Sequence, residues 1–204
     1  MDSDIKAIAW DFDGVLNRNV VAGRFVWSDR LEEDLGIPVQ TFQDGVFDER
    51  FLDVISGKRD LKVHLEEWLA LRGHTVDASA LLDYWFEKDD LKDPLTLDLL
   101  ERLAERDILQ VIATNNEARR AAYIEHRAGF GERVSHVFSS GRIGHAKPEA
   151  AFFRHVVETL GFAPEEILLI DDSARNVRAA EALGWKAFHF TEETRGKLHS
   201  ILGL

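Results

Sequence analysis

The sequence predicts an α/β protein: a doubly wound core on a parallel sheet, with an all-helical segment inserted after the first strand. Three observations carry this expectation. Short, nearly continuous apolar runs recur at residues 5–10, 109–113, 136–138, 167–170 and 186–190, each of a length suited to a strand buried on both faces. Stretches with apolar residues three and four apart separate the later runs, and that alternation is the pattern of a doubly wound sheet. Residues 17–92 have helical spacing without a convincing strand.

Taken in chain order, the run at 5–10 makes the first strand. Helical patterns follow at 31–35, 48–55, 61–71 and 78–86, then at 96–106, 117–128, 149–160 and 174–183, with Gly129, Gly161 and Gly184 where helix ends are expected. The division that results is a core of residues 1–16 plus 93–204 and a helical subdomain of residues 17–92. An insertion at that point sits above the carboxyl edge of the sheet, where open α/β folds bind ligands, and is placed to act as a lid.

Composition narrows the function classes. The 204 residues are 45% hydrophobic and 30% charged, which suits one large domain with an inserted subdomain. The absence of cysteine excludes disulfides, thiolate metal sites and cysteine nucleophiles, and leaves the cytoplasm as the expected compartment. The acidic start MDSDIKAIAW is unlike a secretory leader, and no stretch approaches the roughly 18 apolar residues of a membrane span. A net charge of −12 with no Lys/Arg-rich run argues against a nucleic-acid partner. An acidic protein that handles phosphate must neutralise it locally, with a divalent cation or placed lysines.

Four clusters of polar residues fall just beyond predicted strands. The first strand runs into Asp11-Phe12-Asp13-Gly14, where residues i and i+2 of extended chain point the same way, so both carboxylates face one cavity. The second ends in Thr114-Asn115-Asn116, a hydroxyl and amides suited to a phosphoryl oxygen or to capping a helix. Lys147 precedes Pro148 at the mouth of a helix, either as a clamp for an anion or as a solvated surface charge. The fourth strand delivers Asp171-Asp172-Ser173, oxygen ligands of the kind Mg²⁺ prefers or a helix-capping run. A single sheet edge would collect all four.

In the order acid, hydroxyl, lysine, acid, these motifs resemble those of the haloacid dehalogenase-like superfamily, from Ile5 to about Phe190. The resemblance implies a Rossmann-like core and an aspartyl-phosphate mechanism. Asp11 would be the nucleophile and Asp13 the general acid and base. Thr114, Asn115 and Lys147 would bind the phosphoryl group. Mg²⁺ would be held by Asp11, Asp172 and the main-chain carbonyl of Asp13, with Asp171 as a further ligand or a partner of the ligands. Haloacid dehalogenases lack an aspartate at the position of Asp13, which disfavours dehalogenation.

The insert resembles the C1-type cap of the β-phosphoglucomutase and sugar-phosphatase-like subgroup. Its loop Ser56-Gly57-Lys58-Arg59 makes Lys58 and Arg59 candidate substrate contacts, with a plain helix-helix turn as the alternative. Arg18 and Arg24 are similar candidates, and His145 stands close to Lys147. The expected function is hydrolysis of a small phosphorylated metabolite. A phosphomutase or a non-catalytic binding protein on the same fold are the alternatives. The five tryptophans read as core or lid packing.

Overall fold

The computed structural model describes residues 4–21 and 23–204. Strand β1 (Ala7–Trp10) leads into a two-residue hairpin, β2 (Val20–Val21) and β3 (Arg24–Phe25). Five helices follow: α1 (Leu31–Leu35), α2 (Val39–Val46), α3 (Phe51–Ile55), α4 (Leu61–Arg72) and α5 (Ala78–Lys88). After α6 (Pro94–Leu103) come β4 (Leu109–Thr114), α7 (Ala118–His126), β5 (His136–Ser139), α8 (Ser140–Ile143) and α9 (Ala150–Leu160). The chain ends with β6 (Ile167–Asp171), α10 (Ala174–Ala182), β7 (Lys186–His189) and α11 (Leu198–Ile201).

The five long strands form a parallel sheet in the order β5-β4-β1-β6-β7. The chain builds outward from β1 through β4 to β5, then crosses to the other side for β6 and β7, so the strand order reverses around β1. That reversal opens a crevice at the carboxyl ends of β1, β4 and β6.

The alternation of β1 decides what covers each face of the sheet. Ile8 and Trp10 join one core with Ile112, Leu168 and Ile170, closed by Leu99, Leu100 and Leu103 of α6 and Ile124 of α7. Ala7 and Ala9 face the other way, into a core with Val111, Ile167 and Leu169, closed by Phe152, Phe153 and Val156 of α9 and Ala180 of α10. The alanines leave room for the paired phenylalanines, and both faces are dry, as a doubly wound sheet requires.

The expected α/β architecture is therefore present, with corrections inside the inserted segment. It is not wholly helical: β2 pairs antiparallel with β3, a ribbon of two residues per strand that is too short to leave a periodic signature. Helix α2 was not expected, because its β-branched residues and Gly45 weaken the helical signal. Gly45 is there for packing, since a Cβ would lie 2.1 Å from Trp68 Nε1. The helix expected over 48–55 starts only at Phe51, because Asp48 folds back to accept from the Arg50 amide at 2.9 Å. Helix α7 ends at His126, before Gly129, which opens a 3₁₀ turn at Phe130–Glu132 instead.

Aromatic contacts hold the insert together. Trp27 stacks on Trp85 at 4.7 Å, and Phe42 sets its edge against Trp27, Trp68 and Trp85 at 5.4–5.9 Å. These geometries contribute beyond simple burial.

Asp93 ties the returning chain to the core. It caps α6 by accepting from the amides of Leu95 at 2.8 Å and Thr96 at 3.2 Å, with Pro94 in the first turn, and it pairs with Arg195 at 2.8 Å. Asp93→Ala removes the cap and one of the two acids on the half-buried Arg195, which keeps Glu192 at 3.0 Å, and should destabilise the protein by about 2 kcal/mol. Asp93→Asn keeps the cap and should lose about half of that; urea unfolding of the two variants checks the order.

Candidate active site

Each strand ending at the crevice delivers one polar group. Asp11 follows β1 and is 7% exposed, Thr114 closes β4, and Asp171 closes β6 without exposure. Lys147 enters from the loop before α9, its side chain fully buried. Its ammonium lies 3.1 Å from Asp11 Oδ1 and 2.6 Å from Asp171 Oδ2. The solvated alternative for Lys147 is thereby excluded.

The contacts on Asp11 are one-sided. Oδ1 accepts from the Phe12 amide at 2.7 Å and from Lys147, which fixes the carboxylate plane and leaves Oδ2 for other chemistry. Asp171 is engaged on both oxygens: Oδ1 takes the Ser173 amide at 2.8 Å, Oδ2 takes Lys147, and the Asn176 side-chain amide reaches both at 3.1 Å. Asp172 stands beside them.

Carboxylate oxygens of Asp11, Asp171 and Asp172 lie within 4.8 Å of one another. Among the described residues, Lys147 is the cation paired within this cluster, and it meets two of the three acids. Burial first, and Asp171 second, push Asp11 well above the usual carboxylate range against the opposing pull of Lys147. Burial and then Asp171 raise Asp172 to about 6. Burial would pull the Lys147 ammonium down, but Asp11 and Asp171 outweigh it and hold it above its ordinary value. An all-oxygen cluster short of positive charge is the donor set that a hard divalent cation takes. Because Asp171 already has its oxygens engaged, Asp11 and Asp172 are the freer pair.

Gly14 makes this closeness possible. Its φ of +81° suits glycine, and a Cβ there would fall 2.2 Å from Asp172 Oδ2. The Asp172 carboxylate therefore packs directly against the backbone that follows Asp13.

Asp13 is held apart from the acid cluster by amides. Its Oδ1 accepts from Asn19 at 2.7 Å and Asn17 at 3.3 Å, and its Oδ2 from Asn116 at 2.8 Å. Asn116 also donates to the Thr114 hydroxyl at 2.8 Å. Asn115 clasps the main chain of Lys147, accepting from its N–H at 2.8 Å and donating to its carbonyl at 2.7 Å. Neither Thr114 nor Asn115 caps α7; Glu117 does, through the amides of Arg119 and Arg120. A cavity of about 420 Å³ is lined by Asp11, Asp13, Thr114, Asn115, Lys147 and Asp172, with Asn176 and the exposed Arg175 at its far side.

Lys58 and Arg59 are not brought to this cavity. Lys58 lies 3.9 Å from Asp53 and Arg59 pairs with Glu67. Their loop instead approaches the core through Gly57, whose φ of +71° and missing Cβ let it pass the Gly141 carbonyl. Arg18 pairs with Glu192, Arg24 with Asp29, and His145 with Glu149.

Three residues not foreseen from the sequence support Asp13. Asn19 bridges Asp13 to Asp89, donating to Asp89 Oδ1 at 2.7 Å, and Arg120 meets Asp89 Oδ2 at 2.8 Å while standing 4.0 Å from Asp13. Burial and then Asp13 raise Asp89 to about 7, opposed by Arg120. Asp89 stands at the end of α5 in an acidic stretch, and no local signal marks it.

These features are those of an α/β enzyme with an acidic centre at the switch point of its sheet. The chain belongs to the haloacid dehalogenase-like hydrolases, whose family model matches residues 5–184. A phosphatase of Mycobacterium tuberculosis is 28% identical over 90% of this chain and 86% of its own length. A phosphoglycolate phosphatase of Chromobacterium violaceum is 24% identical over 90% of this chain and 83% of its own. A drimenol cyclase of Aspergillus calidoustus is 36% identical over 69 residues, so the match spans 33% of this chain and 13% of that protein. Among solved structures, a HAD family enzyme of Bacteroides thetaiotaomicron in complex with magnesium and inorganic phosphate has the same fold, with a TM-score of 0.72 and 23% identity over 92% of this chain and 94% of that one.

Arg120→Met would leave Asp89 buried without its cation, at a cost of about 3–5 kcal/mol when Asp89 is ionised. Losing Arg120 removes the influence that opposes protonation. Asp89 in the variant should therefore take up its proton above pH 7, so the destabilisation should be larger at pH 8, shrink as pH falls towards about 7, the value near which Asp89 titrates with Arg120 present, and level off below it. Urea unfolding of variant and wild type at pH 8 and pH 6 reads the difference.

Proposed function

We propose that the protein is a Mg²⁺-dependent phosphomonoesterase that hydrolyses a small phosphorylated metabolite through an aspartyl-phosphate on Asp11. One observation carries the reading: Asp11 has one oxygen anchored by Lys147 and Phe12 and the other free, in the same cavity as an amide-held Asp13. The phosphatases among the relatives support it.

In this reading Asp11 Oδ2 forms a bond to phosphorus as the bond from phosphorus to the ester oxygen breaks. Asp13 gives its proton to that departing oxygen, and the alcohol leaves. Asp13, now a carboxylate, takes a proton from water as the water oxygen attacks the aspartyl-phosphate; phosphate departs and Asp11 is restored. Asn17, Asn19 and Asn116 keep Asp13 aimed through both half-reactions. Lys147 and Thr114 bind the phosphoryl oxygens, and Asn115 fixes the loop that carries Lys147. Mg²⁺, held by Asp11, Asp172 and the main-chain carbonyl of Asp13, would offset the repulsion between the carboxylate and the phosphate dianion. Residues 17–92 serve as the lid over a core of residues 1–16 and 93–204.

Asp11→Asn and Asp13→Asn should each reduce release of inorganic phosphate from a panel of phosphomonoesters by at least about 10³-fold, and a chelator should abolish it until Mg²⁺ is restored. Wild-type protein with no turnover on any ester, or turnover indifferent to chelation, overturns the reading. Mg²⁺ affinity should also follow protonation. Metal binds the ionised carboxylates, and both Asp11 and Asp172 have raised proton affinities, so affinity should fall as pH is lowered towards and below about 6, where Asp172 titrates. Calorimetric titration with Mg²⁺ at pH 7.5 and pH 5 measures this directly.

A further inference from the structure

A second cavity, of about 210 Å³, opens between the inserted helices and the core. Its walls are aromatic and aliphatic: Trp27, Phe47, Phe51, Ile55 and Trp85, with Phe25 at the mouth. Phe47 packs edge-on against Phe51 at 4.7 Å and Trp85 at 5.5 Å, yet remains 38% exposed, and Phe25 is 43% exposed. Exposed aromatic side chains gathered around one opening mark a binding surface.

Its place in the molecule decides what it would bind. Asp13 lines this cavity and also the polar cavity that holds Asp11, Thr114 and Lys147. The general acid must stand beside the ester oxygen, which joins the phosphoryl group to the rest of the substrate. With the phosphoryl group in the polar cavity and that oxygen at Asp13, the substituent on the oxygen enters the aromatic one.

The charged groups around this cavity, Asp13 apart, already have partners within the fold. Glu117 caps α7 through the amides of Arg119 and Arg120. Asp89 takes Asn19 and Arg120, and Arg120 donates as well to the Phe86 carbonyl at 3.1 Å. Asn115 is clasped to Lys147. A sugar ring or a second carboxylate placed here would exchange water for aromatic walls, with few hydrogen bonds in return. An apolar group suffers no such loss. The volume is about seven times the ~30 Å³ share of one water, room for a phenyl ring or a short branched alkyl chain.

We propose that the substrates of this enzyme are phosphomonoesters of apolar alcohols, aryl-alkyl or branched alkyl, whose hydrocarbon part lies between Trp27, Phe47, Phe51, Ile55 and Trp85. This rests on the phosphatase reading above and specifies its substrate class.

The test compares kcat/KM for benzyl phosphate and 3-methylbutyl phosphate with that for phosphoglycolate and glucose 6-phosphate, all with Mg²⁺. The apolar esters should be favoured by at least about tenfold. Phe47→Ser, at an exposed position, and Ile55→Ser, at a half-buried one, should collapse that ratio towards one. Equal or better turnover of the hydrophilic esters overturns the substrate class and leaves the phosphatase reading intact. Absence of turnover on every ester overturns the phosphatase reading. The cavity is judged separately by titrating benzylphosphonate and methylphosphonate into the Mg²⁺-supplied wild type: at least about tenfold tighter binding of benzylphosphonate is expected, and equal affinity overturns the assignment.

Discussion

The buried ammonium of Lys147, held between Asp11 and Asp171, is the interaction on which the rest of the site depends. It joins a loop to the ends of two adjacent strands, and all three side chains are buried. A lysine with no exposed side-chain surface is tolerable only because two carboxylates meet it at hydrogen-bond distance. Around that pair the remaining contacts have one purpose each. Asn176 and the Ser173 amide saturate Asp171, Asn115 pins the backbone of Lys147, and the Phe12 amide takes the oxygen of Asp11 that Lys147 also touches.

The charge balance then leaves a deficit of positive charge. Lys147 meets Asp11 and Asp171 while Asp172 stands beside them, and burial first, then the neighbouring Asp171, raises the proton affinities of Asp11 and Asp172. The saturation of Asp171 matters here, because it assigns that residue to Lys147 and leaves Asp11 and Asp172 as the carboxylates freer to meet a cation. Gly14 is the steric condition for the same arrangement, since any side chain there would displace Asp172.

A second buried pair, Asp89 with Arg120, links the insert to the core. Arg120 lies over the rings of Phe12, Phe86 and Tyr123 at 5.2–5.7 Å, so its charge is matched by aromatic faces as well as by Asp89. Asn19 passes the influence of this pair to Asp13. Asn19, on the segment entering the insert, thus donates both to Asp13, which lines the polar and the aromatic cavity, and to Asp89, on the segment leaving it.

Much of this was legible in the sequence, and the division has a physical basis. Strand ends are local features: apolar runs followed by acids or a hydroxyl located the carboxyl edge of the sheet and collected Asp11, Asp13, Thr114 and Asp171-Asp172 there. A strand buried on both faces is mostly apolar and takes a polar group inside it only with partners of its own, as Gln110 has in Trp10 and the Leu100 carbonyl. Lys147, by contrast, follows α8 and reaches the site from the loop before α9. The two-residue hairpin at Val20–Phe25 escaped for the converse reason, being shorter than any period. Side-chain partnership is not local. Asn19 and Asp89 are 70 residues apart and Asn116 and Asp13 are 103 apart, and nothing in the letters of an acidic stretch distinguishes a buried Asp89 from its neighbours. The tryptophans likewise read as packing, and Trp27 and Trp85 do pack, yet they also wall a cavity whose existence depends on how the inserted helices meet the core. The sequence by itself determined which chemistry stands at the sheet edge. Only the tertiary structure decided which groups are left free to act and what surrounds them, because burial and pairing are properties of residues brought together from distant parts of the chain.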